Sequence, residues 1–158
     1  MNIELIDKVI EHFKEHPNSA NMNKWFEEKP YSTCGTVGCI AGWVCAVGRQ
    51  MERHEKGSAV WFTPISKNFT TPEQARQLLD ISSVTDLFYA DRWPTEFILA
   101  ACEKYELFKE FQFLNEVKDD YYYIGKIFGE LFSYNYLTNE RQAEIMCYRL
   151  EWLKEKGE

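Results

Sequence analysis

The chain has 158 residues, of which 45% are hydrophobic and 16% aromatic, and its formal net charge at pH 7 is −7. This length and composition predict one ordered domain with its own core and argue against a disordered segment. The negative charge argues against general nucleic-acid binding, because an acidic surface repels phosphate backbones.

The first half of the chain predicts helices separated by a glycine-rich loop. Apolar residues recur at helical spacing over 3–16, and Pro17 ends that pattern. A short helix is expected near Trp25, and a helix that is apolar on every face, and therefore buried, is expected over about 38–51. Residues 52–70 have the weakest helical pattern, and a single strand-like run within them has no evident partner. We therefore expect an extended loop there.

The second half predicts a series of helices. Thr71 is expected to cap the first, with Pro72 at its first position and Gln74 completing a capping box. Further helices are expected around 84–88, after Trp93-Pro94, over 106–117, around 124–131, and from Thr138 or Asn139 to Gly157. The sequence thus predicts an all-α fold: a single helical domain over 1–158, with about seven helices and one irregular loop region near 52–70.

The cysteine pattern and the first residues of the chain indicate the cellular compartment to expect. Five cysteines are present, none of them in a CxxC pair, and the chain opens on a charged amphipathic pattern instead of a signal peptide. No apolar run approaches the roughly 20 residues that span a bilayer. These features predict reduced thiols, a cytoplasmic protein and no membrane segment.

The segment 31–48 is the first candidate site, because it holds four of the eight glycines and three of the five cysteines. Backbone N–H groups at a helix N-terminus bind anions, and glycines allow a ligand to approach the backbone. The predicted ligand-binding residues are Cys34, Gly35, Thr36, Gly38, Cys39, Trp43, Trp61 and Trp93. The alternative, that the glycines only permit a tight turn and close packing of a buried helix, stays open.

Three other kinds of site fit the sequence less well: a nucleophilic cysteine, a zinc site and a DNA-binding helix-turn-helix. Cys34 or Cys39 at a helix N-terminus would have a lowered thiol pKa, as a nucleophilic cysteine needs. His12 and His16 together with those two cysteines would give four zinc ligands. A helix-turn-helix over 74–89 lacks basic side chains in its second helix, so it could not contact DNA well. No catalytic residue, metal ligand or cofactor is predicted.

The C-terminal half offers a second candidate surface. Residues 80–158 hold nine basic and sixteen acidic side chains, whereas residues 1–79 hold nine of each. The tyrosines Tyr121, Tyr122, Tyr123, Tyr134 and Tyr136 cluster in the same half. Tyrosine is enriched at protein interfaces, and an acidic surface can meet a basic patch on a partner.

The order of several motifs resembles an uncharacterised family of small proteins from bacteria and their phages. The resemblance is carried by His16-Pro17, Trp25, the string CGTVGCIAGW over 34–43, Leu78-Leu79, Trp93-Pro94 and a closing helix over 141–153. It covers most of the chain except 106–135. It implies a phage or mobile-element setting, in which small non-enzymatic proteins block a host factor or sequester a nucleotide signal, and it carries over no catalytic residue.

Three functional hypotheses follow. The first is a non-enzymatic binding protein that sequesters an anionic, nucleotide-like small molecule in a pocket near 31–48. The alternative is an inhibitor that binds a host protein through the acidic, aromatic C-terminal half, and the weakest is a cysteine-dependent enzyme. A concave pocket would favour the first if basic side chains converged on it from Lys24, Lys29, Arg49, Arg76 or Arg92. A flat acidic and aromatic face would favour the second.

Overall fold

The computed structural model describes residues 1–22, 26–28, 36–56, 59–66, 68–82 and 85–157. Nine α-helices lie within these ranges: α1 Ile3–Glu15, α2 Ile40–Val47, α3 Thr71–Leu79, α4 Thr85–Phe88, α5 Thr95–Lys104, α6 Leu107–Glu110, α7 Gln112–Glu116, α8 Tyr121–Ser133 and α9 Asn139–Lys156. Two 3₁₀ turns, Pro17–Ser19 and Ala90–Arg92, connect them. The predicted mainly α, single-domain fold is confirmed. None of the described helices is both long and apolar enough to cross a lipid bilayer.

Two small antiparallel hairpins accompany the helices. In the first, β1 (Phe26–Glu28) pairs with β2 (Thr36–Gly38). In the second, β3 (Met51–Lys56) pairs with β4 (Ala59–Pro64) in a register that joins Met51 to Pro64. The prediction of an irregular loop over 52–70 was therefore wrong, because the polar run before the strand-like segment supplies its partner. The short helix predicted near Trp25 falls on residues outside the described ranges, and the described residues 26–28 that follow it form β1.

The core draws buried side chains from most of the helices, and within it α1 packs against both α2 and α9. The apolar side of α1 is buried, including Ile6, Val9 and Phe13, and every residue of α2 from Ile40 to Cys45 is buried, as the sequence predicted. The α2 helix is shorter than the predicted 38–51, because Cys39 caps it and Gly48 ends it. Burial of these side chains supplies the main driving force for folding.

Helix starts differ from the predictions by small shifts. Thr70, not Thr71, is the N-cap of α3, and its backbone N–H donates to the Glu73 carboxylate at 2.7 Å. Thr138 caps α9 by accepting from the Arg141 N–H at 3.3 Å, which confirms one of the two predicted caps. The predicted helix over 106–117 is two short helices, α6 and α7, interrupted at Phe111.

Two glycines let α8 pack against the 3₁₀ turn at Ala90–Arg92. A Cβ atom at Gly129 would lie 2.7 Å from the Cβ of Asp91 and 2.9 Å from its backbone nitrogen. A Cβ atom at Gly125 would lie 3.0 Å from the Asp91 carbonyl oxygen. This close approach fixes the position of α8 and of the aromatic side chains at its two ends.

Candidate functional site

The structure leaves part of the predicted 31–48 site undescribed. Cys34 and Gly35 lie outside the described residues, as do the side chains of Thr36 and Trp61. The described part of the segment is held by main-chain contacts, since the Gly38 carbonyl accepts from the Asn21 N–H at 2.9 Å. Gly38 also forms a parallel bridge with Ala20. The described predicted ligand residues are therefore Gly38, Cys39, Trp43 and Trp93.

Cys39 does not have the chemistry of a helix N-terminal nucleophile. It is the N-cap residue of α2, but it is fully buried, and that burial raises the pKa of its thiol to about 11. Desolvation of the thiolate outweighs the helix dipole here. The expectation of a lowered pKa was wrong for Cys39. Cys45, Cys102 and Cys147 are also free, buried thiols whose pKa values burial raises.

Trp43 belongs to a packed cluster with α1. Its indole lies on the His12 imidazole with ring centroids 3.7 Å apart, and its Nε1–H donates to the Ser19 carbonyl at 3.1 Å. His12 Nε2 lies 3.0 Å from the Ser19 hydroxyl. The His12 and His16 rings are 5.0 Å apart, yet no three His, Cys, Asp or Glu side chains within the described ranges gather where a metal could be held.

Trp93 packs in a different part of the core. It is buried, its Nε1–H donates to the Leu87 carbonyl at 2.8 Å, and its ring contacts Phe97, Phe128 and Phe132. Its described ring partners thus come from α5 and α8, whereas those of Trp43 come from α1. The structure does not bring the two tryptophans into one site.

Two of the basic side chains that could converge on an anion instead contact residues close to them in sequence. Arg76 donates from Nη1 to the Ile81 carbonyl at 3.1 Å. The Arg92 guanidinium lies 5.7 Å from the centroid of the Tyr89 ring. Arg49 is exposed, and Lys24 and Lys29 lie outside the described residues. The described contacts of these side chains therefore do not form a basic pocket.

The predicted tyrosine surface is present at both ends of α8. Tyr121 and Tyr122 at its start are 72% and 76% exposed, and Tyr134 and Tyr136 at its end are 68% and 57% exposed. Thirteen residues of helical rise separate the two ends by about 20 Å. Exposed aromatic rings are enriched at protein contact surfaces in general.

The C-terminal group forms a continuous cluster with α7. The Tyr136 ring lies 6.2 Å from Tyr134, 6.3 Å from Phe111 and 6.4 Å from Phe113, centroid to centroid. Phe111 and Phe113 are 5.7 Å apart. We call Phe111, Phe113, Tyr134 and Tyr136 the aromatic face.

A Schellman-type helix end places the two tyrosines. Asn135 has a positive φ of 54°, a conformation that asparagine tolerates better than most residues. The Tyr136 N–H donates to the Leu131 carbonyl, and the Asn135 N–H donates to the Phe132 carbonyl. The chain therefore turns sharply after α8 and delivers Tyr136 to the rings of α7.

An acidic depression of about 400 Å³ adjoins the aromatic face at Tyr136. Three carboxylates line it, from Glu110, Glu140 and Glu144, together with the guanidinium of Arg141. Arg141 pairs with Glu144 at 3.1 Å. The lining holds two more carboxylates than cations, so its electrostatic potential favours a positively charged ligand.

A larger groove of about 640 Å³ continues along α9, and we call it the α9 groove. Its lining includes the apolar groups of Phe13, Ala143 and Cys147. Tyr105 and Tyr148 also line it, and the Tyr105 hydroxyl donates to the Glu144 carbonyl at 2.9 Å. Burial raises the pKa of Tyr105 to about 12, so its hydroxyl stays protonated as a donor.

The sequence identified part of this surface and missed the rest. It singled out Tyr134 and Tyr136 but not Phe111, Phe113 or the three glutamates of the depression. The alternation of aromatic residues at 111 and 113, and again at 134 and 136, was the usable signal. Neither pair lies within one helix, since Phe111 precedes α7 and both tyrosines follow α8, so helical periodicity could not predict that these rings meet.

No protein-family model, curated protein or solved structure matches this chain. The aromatic face and the acidic depression are therefore interpreted from their own geometry and charge.

Proposed function

We propose that this chain is a non-enzymatic binding protein that docks a basic segment of another protein on the aromatic face and the acidic depression. One observation carries the proposal: four aromatic rings joined through Tyr136 adjoin three carboxylates, and Tyr136 belongs to both groups. Tyr134 and Tyr136 are each more than half exposed.

The chemistry of this surface matches arginine and lysine side chains. The face of an aromatic ring attracts a cation, and a neighbouring carboxylate pairs with the same cation. Tyrosine loses little conformational entropy when a partner covers it, which is one reason for its enrichment at interfaces. The excess of acidic over basic residues in 80–158 adds a long-range attraction for a basic partner.

The setting of this function is part of the proposal. The resemblance to small bacterial and phage proteins supports an inhibitor that occupies a basic surface of a host protein. Four free, buried cysteines support a reducing compartment, which for such a protein is the cytoplasm.

Sequestration of an anionic, nucleotide-like ligand near 31–48 stays a prediction. Cys39, Trp43 and Trp93 are each buried in the core. The described contacts therefore favour the protein partner over the small molecule.

The proposal is tested with synthetic peptides of about ten residues, one rich in arginine and leucine and one a neutral counterpart, by fluorescence polarisation. The basic peptide should bind and the neutral one should not. The Tyr134→Ala/Tyr136→Ala variant should weaken binding at least about tenfold, because interface tyrosines often contribute over 1 kcal/mol each.

The Tyr121→Ala/Tyr122→Ala variant is the matched control. It removes two equally exposed tyrosines from the other end of α8 and should change the affinity by less than about twofold. Absence of binding by the basic peptide, or equal losses in the two variants, would contradict the proposal.

A further inference from the structure

Four glutamates of α9 line the α9 groove in two pairs. Glu140 and Glu144 lie near the start of the helix, and Glu151 and Glu155 lie near its end. The midpoints of the pairs are eleven residues apart, which is about 16 Å along a helix axis. The groove thus has a carboxylate pair at each end.

Helix stability accounts for Glu140, whose carboxylate lies in the first turn of α9, but not for the glutamate pair near the end of the helix. Like charges four residues apart repel, and carboxylates in the last turns oppose the helix dipole. Neighbouring cations compensate in part, since Arg141 pairs with Glu144 and Lys154 pairs with Glu151, both at 3.1 Å. Glu140 and Glu155 are exposed side chains on the same groove.

The middle of the groove is apolar and aromatic. Tyr148 lies between the two glutamate pairs along α9 and is half-buried, as is Tyr105 next to it, whereas Phe13, Ala143 and Cys147 of the lining are buried. The Lys104 ammonium lies 4.0 Å from the centroid of the Tyr148 ring, so the aromatic wall already holds one cation. Lys14 is the other basic residue in the lining, and the four carboxylates outnumber these two ammonium groups.

We infer that the docked basic segment extends from the acidic depression into the α9 groove, with a basic side chain at each end of the groove and an apolar one between them. Glu140 and Glu144 line both cavities, so the depression and the groove adjoin. An extended chain advances about 3.3 Å per residue, so the two basic residues stand about five apart. This inference rests on the proposed function, and it specifies the sequence that the surface selects.

The test measures the affinity of the full chain for each of three labelled peptides of about ten residues. The first has arginines about five apart with a central leucine, the second replaces the leucine by glycine, and the third keeps the leucine but has arginines at one end only. The first should bind most tightly. Each of the other two should bind about threefold to tenfold more weakly, through loss of apolar burial or of one ion pair.

A charge variant identifies the far end of the groove. Glu151→Gln/Glu155→Gln should weaken the first peptide about threefold to tenfold and leave the third unchanged. Glu11→Gln/Glu15→Gln is the matched control, because it neutralises another exposed glutamate pair four residues apart that does not line the groove. It should leave all three affinities within about twofold.

The outcomes separate this inference from the proposed function. If the first peptide binds and depends on Tyr134 and Tyr136, but is insensitive to its leucine and to Glu151 and Glu155, the proposed function holds and the groove inference is overturned. If no arginine-containing peptide binds, the proposed function itself is overturned and the inference with it. Thermal melts of each variant establish that it is folded.

Discussion

His12 shows how one side chain joins packing to pH dependence. Its imidazole lies on the Trp43 indole and contacts the Ser19 hydroxyl, in a half-buried position. Burial lowers the pKa of His12 to about 4, and the neighbouring His16 adds to the effect. Trp43 was expected to line a ligand pocket, and its described partners place it in the core beside α1.

The first prediction concerns stability between pH 7 and pH 4. The folded pKa of His12, about 4, lies below the unfolded value of 6.5, so the unfolded chain binds more protons within this range. Stability should therefore fall as the pH drops from about 6.5 towards 4. The melting temperature of His12→Gln, followed by tryptophan fluorescence, should decline less steeply with falling pH than that of the wild type. Parallel declines would show that His12 charges as easily in the folded protein as in the unfolded chain.

At the scale of the element, α8 combines a buried side with exposed tyrosines at its ends. Its buried side, including Phe128, Gly129 and Phe132, packs against the core and the turn at Asp91. Its ends present exposed tyrosines. The close packing of Gly129 on Asp91 thus positions the helix that leads into Tyr134 and Tyr136.

The second prediction tests that contact. Gly129→Ala gains helix propensity of about 1 kcal/mol, but its Cβ would lie 2.7 Å from the Asp91 Cβ and 2.9 Å from its backbone. Backbone cannot yield as a flexible side chain does, so we expect a net loss of about 1–3 kcal/mol in the free energy of unfolding, measured with urea. Lys126→Ala, at an exposed position of the same helix, is the control and should be nearly neutral. A Gly129→Ala protein as stable as the wild type would mean that α8 shifts without cost.

The elements also show which features the sequence could reveal. Strong periodicity located α1, α8 and α9, and the apolar run located α2. The β3–β4 hairpin was missed because Met51–Lys56 is mostly charged, so its strand structure depends on pairing and not on its own apolar pattern. The α3 cap was placed one residue late, since Thr70 and Thr71 are both good caps and only the Glu73 contact distinguishes them.

The candidate site was harder to predict than the fold. The sequence favoured 31–48, where glycines and cysteines concentrate, but described members of that set are buried in separate parts of the core. The surface proposed above depends on α7, the end of α8 and the start of α9 meeting. These three segments come together only in the tertiary structure, so the sequence of any one of them could not predict the contact. The tyrosines, a residue type enriched at interfaces, were the one available indication.

At the scale of the whole molecule, charge is unevenly distributed along the chain. Residues 1–79 are balanced, and the net charge of −7 comes entirely from 80–158. The surface proposed for docking belongs to this acidic half. Electrostatic attraction should therefore speed the encounter with a basic partner more than it prolongs the complex.

The third prediction follows from that distribution. The association rate of the basic peptide, measured by stopped flow, should fall steeply between about 0.05 M and about 0.5 M NaCl. Glu110→Gln/Glu140→Gln should flatten this salt dependence, whereas Tyr134→Ala/Tyr136→Ala should mainly raise the dissociation rate. An association rate that is independent of salt would contradict electrostatic steering.

The separation of buried and exposed sides on α8 has a consequence for engineering. Tyr134 and Tyr136 lie in the turn that follows α8 and are exposed, whereas the buried side of α8 packs in the core, and substitutions at exposed positions usually change stability by less than about 0.5 kcal/mol. A display library randomised at these two positions would vary recognition at nearly constant foldability. On the proposed docking function, the chain is a scaffold on which new specificities can be selected without redesigning its core.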